Sequence, residues 1–188
     1  MEALLVSTGI VALAEIGDKT QLLALVLAAR YRRPLPIIAG ILCATVLNHA
    51  MAGLLGRLLV GVISPAALRY GLAASFVGMA VWILIPDTLD EDETLAKGRS
   101  GVFVTTLVAF FLAEMGDKTQ VATIVLAAQY QPLYAIVIGT TLGMMIANVP
   151  VVYLGKSFSH RIPFHIVRRF TAALFAVLGV AALTGVGG

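Results

Sequence analysis

Charge is scarce in this chain: Asp, Glu, Lys and Arg make up 12% of its 188 residues. A soluble domain carries roughly 25%, so a water-exposed globule is excluded. A soluble catalytic domain is excluded with it, because only short loops remain between the apolar runs. Cysteine occurs once, as Cys43, which rules out an internal disulfide and a thiolate cluster for a metal. Tryptophan also occurs once, as Trp82, and aromatic residues total 7%. None adjoins the charged motifs described below, so the ring walls that would hold an organic cation by cation–π contact are missing there. The net charge is only +3, and the basic residues sit at the ends of apolar runs, where they act as topology signals. No nucleic-acid partner is expected.

What the chain does have is apolar length. Hydrophobic residues make up 60% of it, and a bilayer crossing needs about 20 in a row. Six such runs lie near Ala3–Ala29, Leu35–Ile63, Ala66–Pro86, Val102–Ala128, Leu133–Leu154 and Val167–Val186. The expectation is an all-α integral membrane protein of six transmembrane helices, with the lipid bilayer as its partner. The first run lacks a basic n-region and is interrupted by Glu15, Asp18 and Lys19, so it reads as a retained helix, not a signal peptide.

Those three charges belong to a phrase that occurs twice: Ala-Glu-Ile-Gly-Asp-Lys-Thr-Gln at Ala14–Gln21 and Ala-Glu-Met-Gly-Asp-Lys-Thr-Gln at Ala113–Gln120. The same offset carries Tyr31 onto Tyr130, Gly40 onto Gly139, Arg69 onto Arg168 and Phe76 onto Phe175. The chain therefore reads as a duplication: residues 1–86 form a first three-helix repeat, 87–100 an acidic cytoplasmic linker, and 101–188 a second three-helix repeat. An odd helix count inverts the second copy, placing a pseudo-two-fold axis in the membrane plane. One set of loops receives Arg30, Arg32, Arg33, Lys97, Arg99, Lys156, Arg161, Arg168 and Arg169, and the other only Arg57 and Arg69. The positive-inside rule puts the basic set in the cytoplasm and both termini outside.

Charged residues at mid-membrane are expensive and mark ion pathways. On a continuous helix turning about 100° per residue, Asp18 and Gln21 lie about 60° and 120° to one side of Glu15, with Lys19 about 40° to the other. Glu114, Asp117 and Gln120 repeat that arc, flanked by Lys118. The expected metal site is thus Glu15, Asp18, Gln21, Glu114, Asp117 and Gln120, a set of hard oxygen ligands suited to Ca²⁺, Mg²⁺ or Mn²⁺. Gly17 and Gly116 permit close approach or local unwinding. Four carboxylates and two lysines leave a formal −2, which one divalent cation or two protons neutralise; such mutually exclusive occupancy is the thermodynamic basis of exchange. The competing structural reading is a pair of i, i+4 ion pairs, Glu15–Lys19 and Glu114–Lys118.

Supporting candidates are Lys19, Thr20, Lys118 and Thr119, with Asn48, His49 and Asn148 from the second and fifth runs. Two roles are open to each threonine: bonding a helix carbonyl or supplying a ligand. Pro150 is expected to kink the fifth helix and free the carbonyl of Ile146. A nitrogen ligand from His49 would favour Mn²⁺ over Ca²⁺, with packing or proton handling as its alternatives.

The doubled Glu-x-Gly-Asp-Lys-Thr motif, each copy heading three apolar runs, resembles the Gdt-type family of membrane proteins over essentially the whole chain. Its short bacterial form is similar to the MneA-type manganese exporters. The resemblance implies an antiporter, not an enzyme, moving Mn²⁺ and Ca²⁺ against protons with no prosthetic group, in the bacterial plasma membrane. It implies a metal role for Glu15, Asp18, Glu114 and Asp117, and extends to Lys19, Thr20, Lys118 and Thr119. A proton-coupled exporter of organic cations and a divalent-cation channel are the alternatives, and a homodimer is one option for assembly.

Overall fold

The computed structural model describes residues 1–85, 101–154 and 164–184. Among them lie eight helices and no strand: α1 (Glu2–Glu15), α2 (Lys19–Tyr31), α3 (Pro34–Val62), α4 (Pro65–Leu84), α5 (Val102–Glu114), α6 (Lys118–Gln129), α7 (Leu133–Leu154) and α8 (Phe164–Thr184). The acidic linker at 87–100 and the expected loop residues Lys156 and Arg161 lie outside the described residues. Helix starts follow local chemistry. Pro34 and Pro65 occupy first-turn positions where a missing N–H costs nothing. The Ser64 hydroxyl accepts from Ala67 N to cap α4.

Among the described residues four helices are long and apolar enough to cross a bilayer: α3 with 29 residues, α4 with 20, α7 with 22, and the His165–Thr184 part of α8 with 20. Large apolar side chains such as Leu58, Val62, Leu112, Val177 and Val180 are exposed on the outer surface. An apolar exterior of this extent suits hydrocarbon, not water.

The first and fourth expected spans are not continuous helices. Each is broken at its motif, between α1 and α2 over Ile16–Asp18 and between α5 and α6 over Met115–Asp117. Gly17 and Gly116 take φ of 84° and 76°, a left-handed conformation that glycine enters at little cost. Asp18 N and Asp117 N then close tight turns on the carbonyls of Glu15 and Glu114. The continuous-helix wheel of the motif is corrected accordingly: glycine rotates the chain, so the residues after it no longer keep a helical angle to the glutamate.

Packing runs between the two halves of the sequence. The most extensive helix pairings are α1 with α7, α4 with α8, and α5 with α3. The reason is small residues at the crossing points. A Cβ on Gly139 would lie 2.7 Å from Leu4 O and against Ser7, and one on Gly40 would lie 2.9 Å from Phe103 O and against Thr106. Under the sequence offset these are the same contact made twice, with the halves exchanged. Where α4 meets α8, Phe76 and Phe175, equivalents of each other, pack with ring centroids 6.1 Å apart. Buried hydroxyls in these helices bond their own backbone, as Ser7 does to Ala3 O and Thr140 to Ile136 O. α7 continues as helix through Pro150, so the expected kink does not interrupt it.

Candidate cation site

Both breaks bring their carboxylates to one buried place. Glu15 ends α1 and Glu114 ends α5, and neither is accessible to solvent. Carboxylate oxygens of Glu15, Glu114 and Asp117 all lie within 4.8 Å of one another. Like charges at that separation repel by about 3 kcal/mol at an effective dielectric near 20, so the cluster calls for a cation or protons. Helix C-termini carry partial negative charge, and both glutamates stand at one, which further favours a positive occupant. Discontinuous helices that meet in this way are how membrane proteins present ends and carbonyls to ions.

Each glutamate is held by one oxygen and leaves the other available. Thr20 Oγ1 donates to Glu15 Oε2 at 2.7 Å, and Thr119 Oγ1 to Glu114 Oε2 at 2.8 Å. Both threonines thereby orient a carboxylate, a third role beside the two expected. Glu15 Oε1 and Glu114 Oε1 are buried with no hydrogen-bond partner among the described residues. A buried carboxylate oxygen in that condition is costly unless something positive meets it.

The lysines do not pair with the glutamates of their own motifs. Lys118 Nζ donates to Asp18 Oδ1 at 2.8 Å, and Lys19 Nζ lies 3.8 Å from Asp117 Oδ1. Each lysine thus reaches the aspartate of the other copy. Asp18 and Asp117 occupy the N-cap positions of α2 and α6, but no side-chain cap bond is made there. This crossing was not legible in the sequence, because an i, i+4 spacing predicts contact only if the helix continues.

The glutamines brace the breaks. Gln21 Oε1 accepts from Gly17 N at 3.0 Å while its amide donates to Ala147 O. Gln120 Oε1 accepts from Gly116 N at 2.8 Å while its amide donates to Asn48 Oδ1 at 3.4 Å. Residues 48 and 147 are equivalents, so each glutamine ties its break to the same place on the other half's long helix. Asn48 Nδ2 continues to Phe111 O. Asn148 donates to Met144 O and Sδ, and its Oδ1 has no partner among the described residues. His49 is fully buried, and neither ring nitrogen has a hydrogen-bond partner among them. Met115 is half exposed beside Glu114, whereas Met144 is buried.

Gln21→Leu is expected to destabilise more than Gln120→Leu, because the Gly17 bond is the less exposed of the two. Losing a typical hydrogen bond of this kind costs about 0.5–1.5 kcal/mol. Thermal unfolding in detergent reads the difference, and equal midpoints for the two variants would refute it.

A family model described as "Divalent cation/proton antiporter GDT1" matches residues 3–91 and 102–186. The chain belongs to the GDT1 family. Members of that family are transporters, not enzymes, so this GDT1 chain is assigned to cation/proton antiport across a membrane. A Vibrio cholerae protein named "Putative manganese exporter" is 52% identical over 182 residues, covering 96% of this chain and 90% of the relative. An Arabidopsis thaliana protein, GDT1-like protein 5, is 29% identical over 208 residues, covering 91% and 90%. A Synechocystis GDT1-like protein is 28% identical over 191 residues, covering 91% of each. No solved structure matches the chain significantly.

Proposed function

We propose that this chain exports Mn²⁺, and secondarily Ca²⁺, in exchange for protons, with both substrates competing for one site built from the two motifs. The observation that carries the reading is the convergence of Glu15, Glu114 and Asp117 oxygens from opposite halves of the chain. Oxygen ligands of this kind suit hard divalent cations, and manganese is the metal in the Vibrio relative's name. The crossed lysines balance Asp18 and Asp117, which leaves a formal −2 on the two glutamates. One divalent cation or two protons satisfy that charge. Thr20 and Thr119 position the glutamates, Gln21 and Gln120 hold the breaks, and Asn48, His49 and Asn148 line the supporting layer.

Six crossings complete the reading: α3, α4, α7 and α8, with α1–α2 and α5–α6 each serving as one broken span. Residues 1–86 and 101–188 form inverted repeats that rock about the shared site, giving alternating access. The reciprocal contacts Gly40–Thr106 and Gly139–Ser7 support that symmetry. Loop charge places the linker in the cytoplasm of a bacterial cell, and the termini outside the plasma membrane.

The test is reconstitution in liposomes carrying a pH-sensitive dye. Imposed Mn²⁺ gradients are expected to drive proton movement in the opposite direction, and an imposed pH gradient to drive Mn²⁺ uphill. Metal flux without proton movement would make the protein a channel and refute the exchange.

A further inference from the structure

The two crossed pairs are equivalent in sequence and unequal in space. Lys118 and Asp18 meet at 2.8 Å with both side chains almost fully buried, while Lys19 and Asp117 stand 3.8 Å apart and Lys19 keeps 18% of its side chain exposed. The surroundings are unequal in the same sense. At the first break Ile16 is only partly exposed, and Ile83 of α4 lines the crevice beside Gly17 and Asp18. At the second break Met115 is 52% exposed and Gly116 is open as well. The tight pair lines the covered crevice, where Asp18 and Lys118 stand with Ile16, Gly17 and Ile83.

We infer that Lys19 and Lys118 are positioning residues that close the two sides of the site in alternation, the Lys118–Asp18 pair being shut in this state and the Lys19–Asp117 pair in its opposite. The inference rests on the exchange reading above and adds how access is switched. A duplicated site supplies two versions of one contact, and a conformation that tightens one while loosening the other has a mirror state of similar energy. Two such states are what a carrier needs, because a ligand shifts only an equilibrium that already exists. The crossing is essential to this device. Each pair joins α1–α2 of one half to α5–α6 of the other, so closing it moves the halves relative to one another, which an ion pair within one motif would not do.

The test reads which break is open, in the absence of metal and of any pH gradient. On a Cys43→Ala background of the full chain, Met115→Cys reports one break and Ile16→Cys the other. The measurement is the rate of reaction with a membrane-impermeant maleimide in right-side-out and inside-out vesicles. Lys118→Met and Asp18→Asn, the two ends of the shut pair, are each expected to lower labelling at position 115 and raise it at position 16, by about tenfold. Lys19→Met and Asp117→Asn are expected to keep position 115 reactive and lower labelling at position 16. The signs should therefore group by crossed pair and not by motif. Isosteric Asp→Asn changes supply the answer where a lysine variant does not fold, and Lys118→Arg, which keeps the charge, is expected to label as the parent does.

Effects grouped by motif, with Lys118 siding with Asp117, would overturn the inference, as would one sign for all four variants. Mn²⁺-driven proton movement in the parent vesicles decides the exchange reading separately. Pairwise grouping without that movement would retain the two gates and sink the exchange, and the converse would sink the gates alone.

Discussion

Glu15→Gln and Glu114→Gln are each expected to lower Mn²⁺ affinity about a hundredfold and to abolish coupled proton movement, while the protein still inserts and folds. Each removes one of the two charges that the crossed lysines leave unbalanced, and with it an oxygen that no described residue bonds. A charge-assisted contact is worth about 1.5–3 kcal/mol, which corresponds to roughly tenfold to a hundredfold in affinity. The amide keeps the shape of the side chain and its bond from Thr20 or Thr119, so the loss is one of charge and not of packing. Thr20→Val supplies the comparison: it frees the carboxylate without removing it and should cost about tenfold or less. Calorimetric Mn²⁺ titration and liposome flux read both quantities. Near-parental flux in either glutamine variant would show that the convergent carboxylates are not the transport site.

Gly139→Ala is expected to be among the most damaging single methyl groups in the helices that pair the halves, together with Gly56→Ala, whose added carbon would meet the Ile124 carbonyl. The Cβ added at Gly139 would lie against the Ser7 hydroxyl and 2.7 Å from the Leu4 carbonyl. A serine can turn aside, but a backbone carbonyl in a neighbouring helix cannot, so α1 and α7 must separate. Overpacking of that kind costs about 1–3 kcal/mol. Gly40→Ala meets Thr106 and the Phe103 carbonyl in the equivalent place and should fall in the same range. Gly9→Ala and Gly61→Ala are the controls, since no atom lies within 4 Å of the added carbon. They should be neutral or stabilising by up to about 1 kcal/mol through helix propensity. Unfolding midpoints in detergent should therefore move in opposite directions. A Gly139→Ala protein as stable as Gly9→Ala would mean that α1 and α7 are not in close contact.

The helical character, the apolar spans and the four carboxylates were all legible in the sequence, because each depends on composition or on a repeated phrase. The breaks were legible in principle. Glycine followed by aspartate is a helix stop followed by a helix start, and Gly17-Asp18 and Gly116-Asp117 sit where those signals belong. Continuous hydrophobicity on either side outweighed the signal and favoured one long helix. The lysine crossing could not be read, because it depends on how two distant segments approach. The glutamines are a related case: spacing put Gln21 and Gln120 on the ligand arc, whereas the reversed chain at Gly17 and Gly116 turns their oxygens back to the backbone. Asn48 and Ala147 differ between the halves, yet each accepts the equivalent glutamine amide. A backbone carbonyl takes over from a side chain at no cost in geometry, and it is invisible to any residue-by-residue matching of the repeats.

The pairing of α1 with α7 also bears on how the protein is made. α1 is made well before the surface it is shaped to fit, with Gly139 and Gly143 facing its Ser7 and Val11. Until α7 follows, the helix that ends at Glu15 lacks the surface it packs on. α1 therefore waits in the bilayer without its main partner while the segments between are made. A chain halted before Leu133 holds every carboxylate of the site and lacks the helix that α1 packs on, so truncation there should yield an inserted product that is degraded, not a weak transporter.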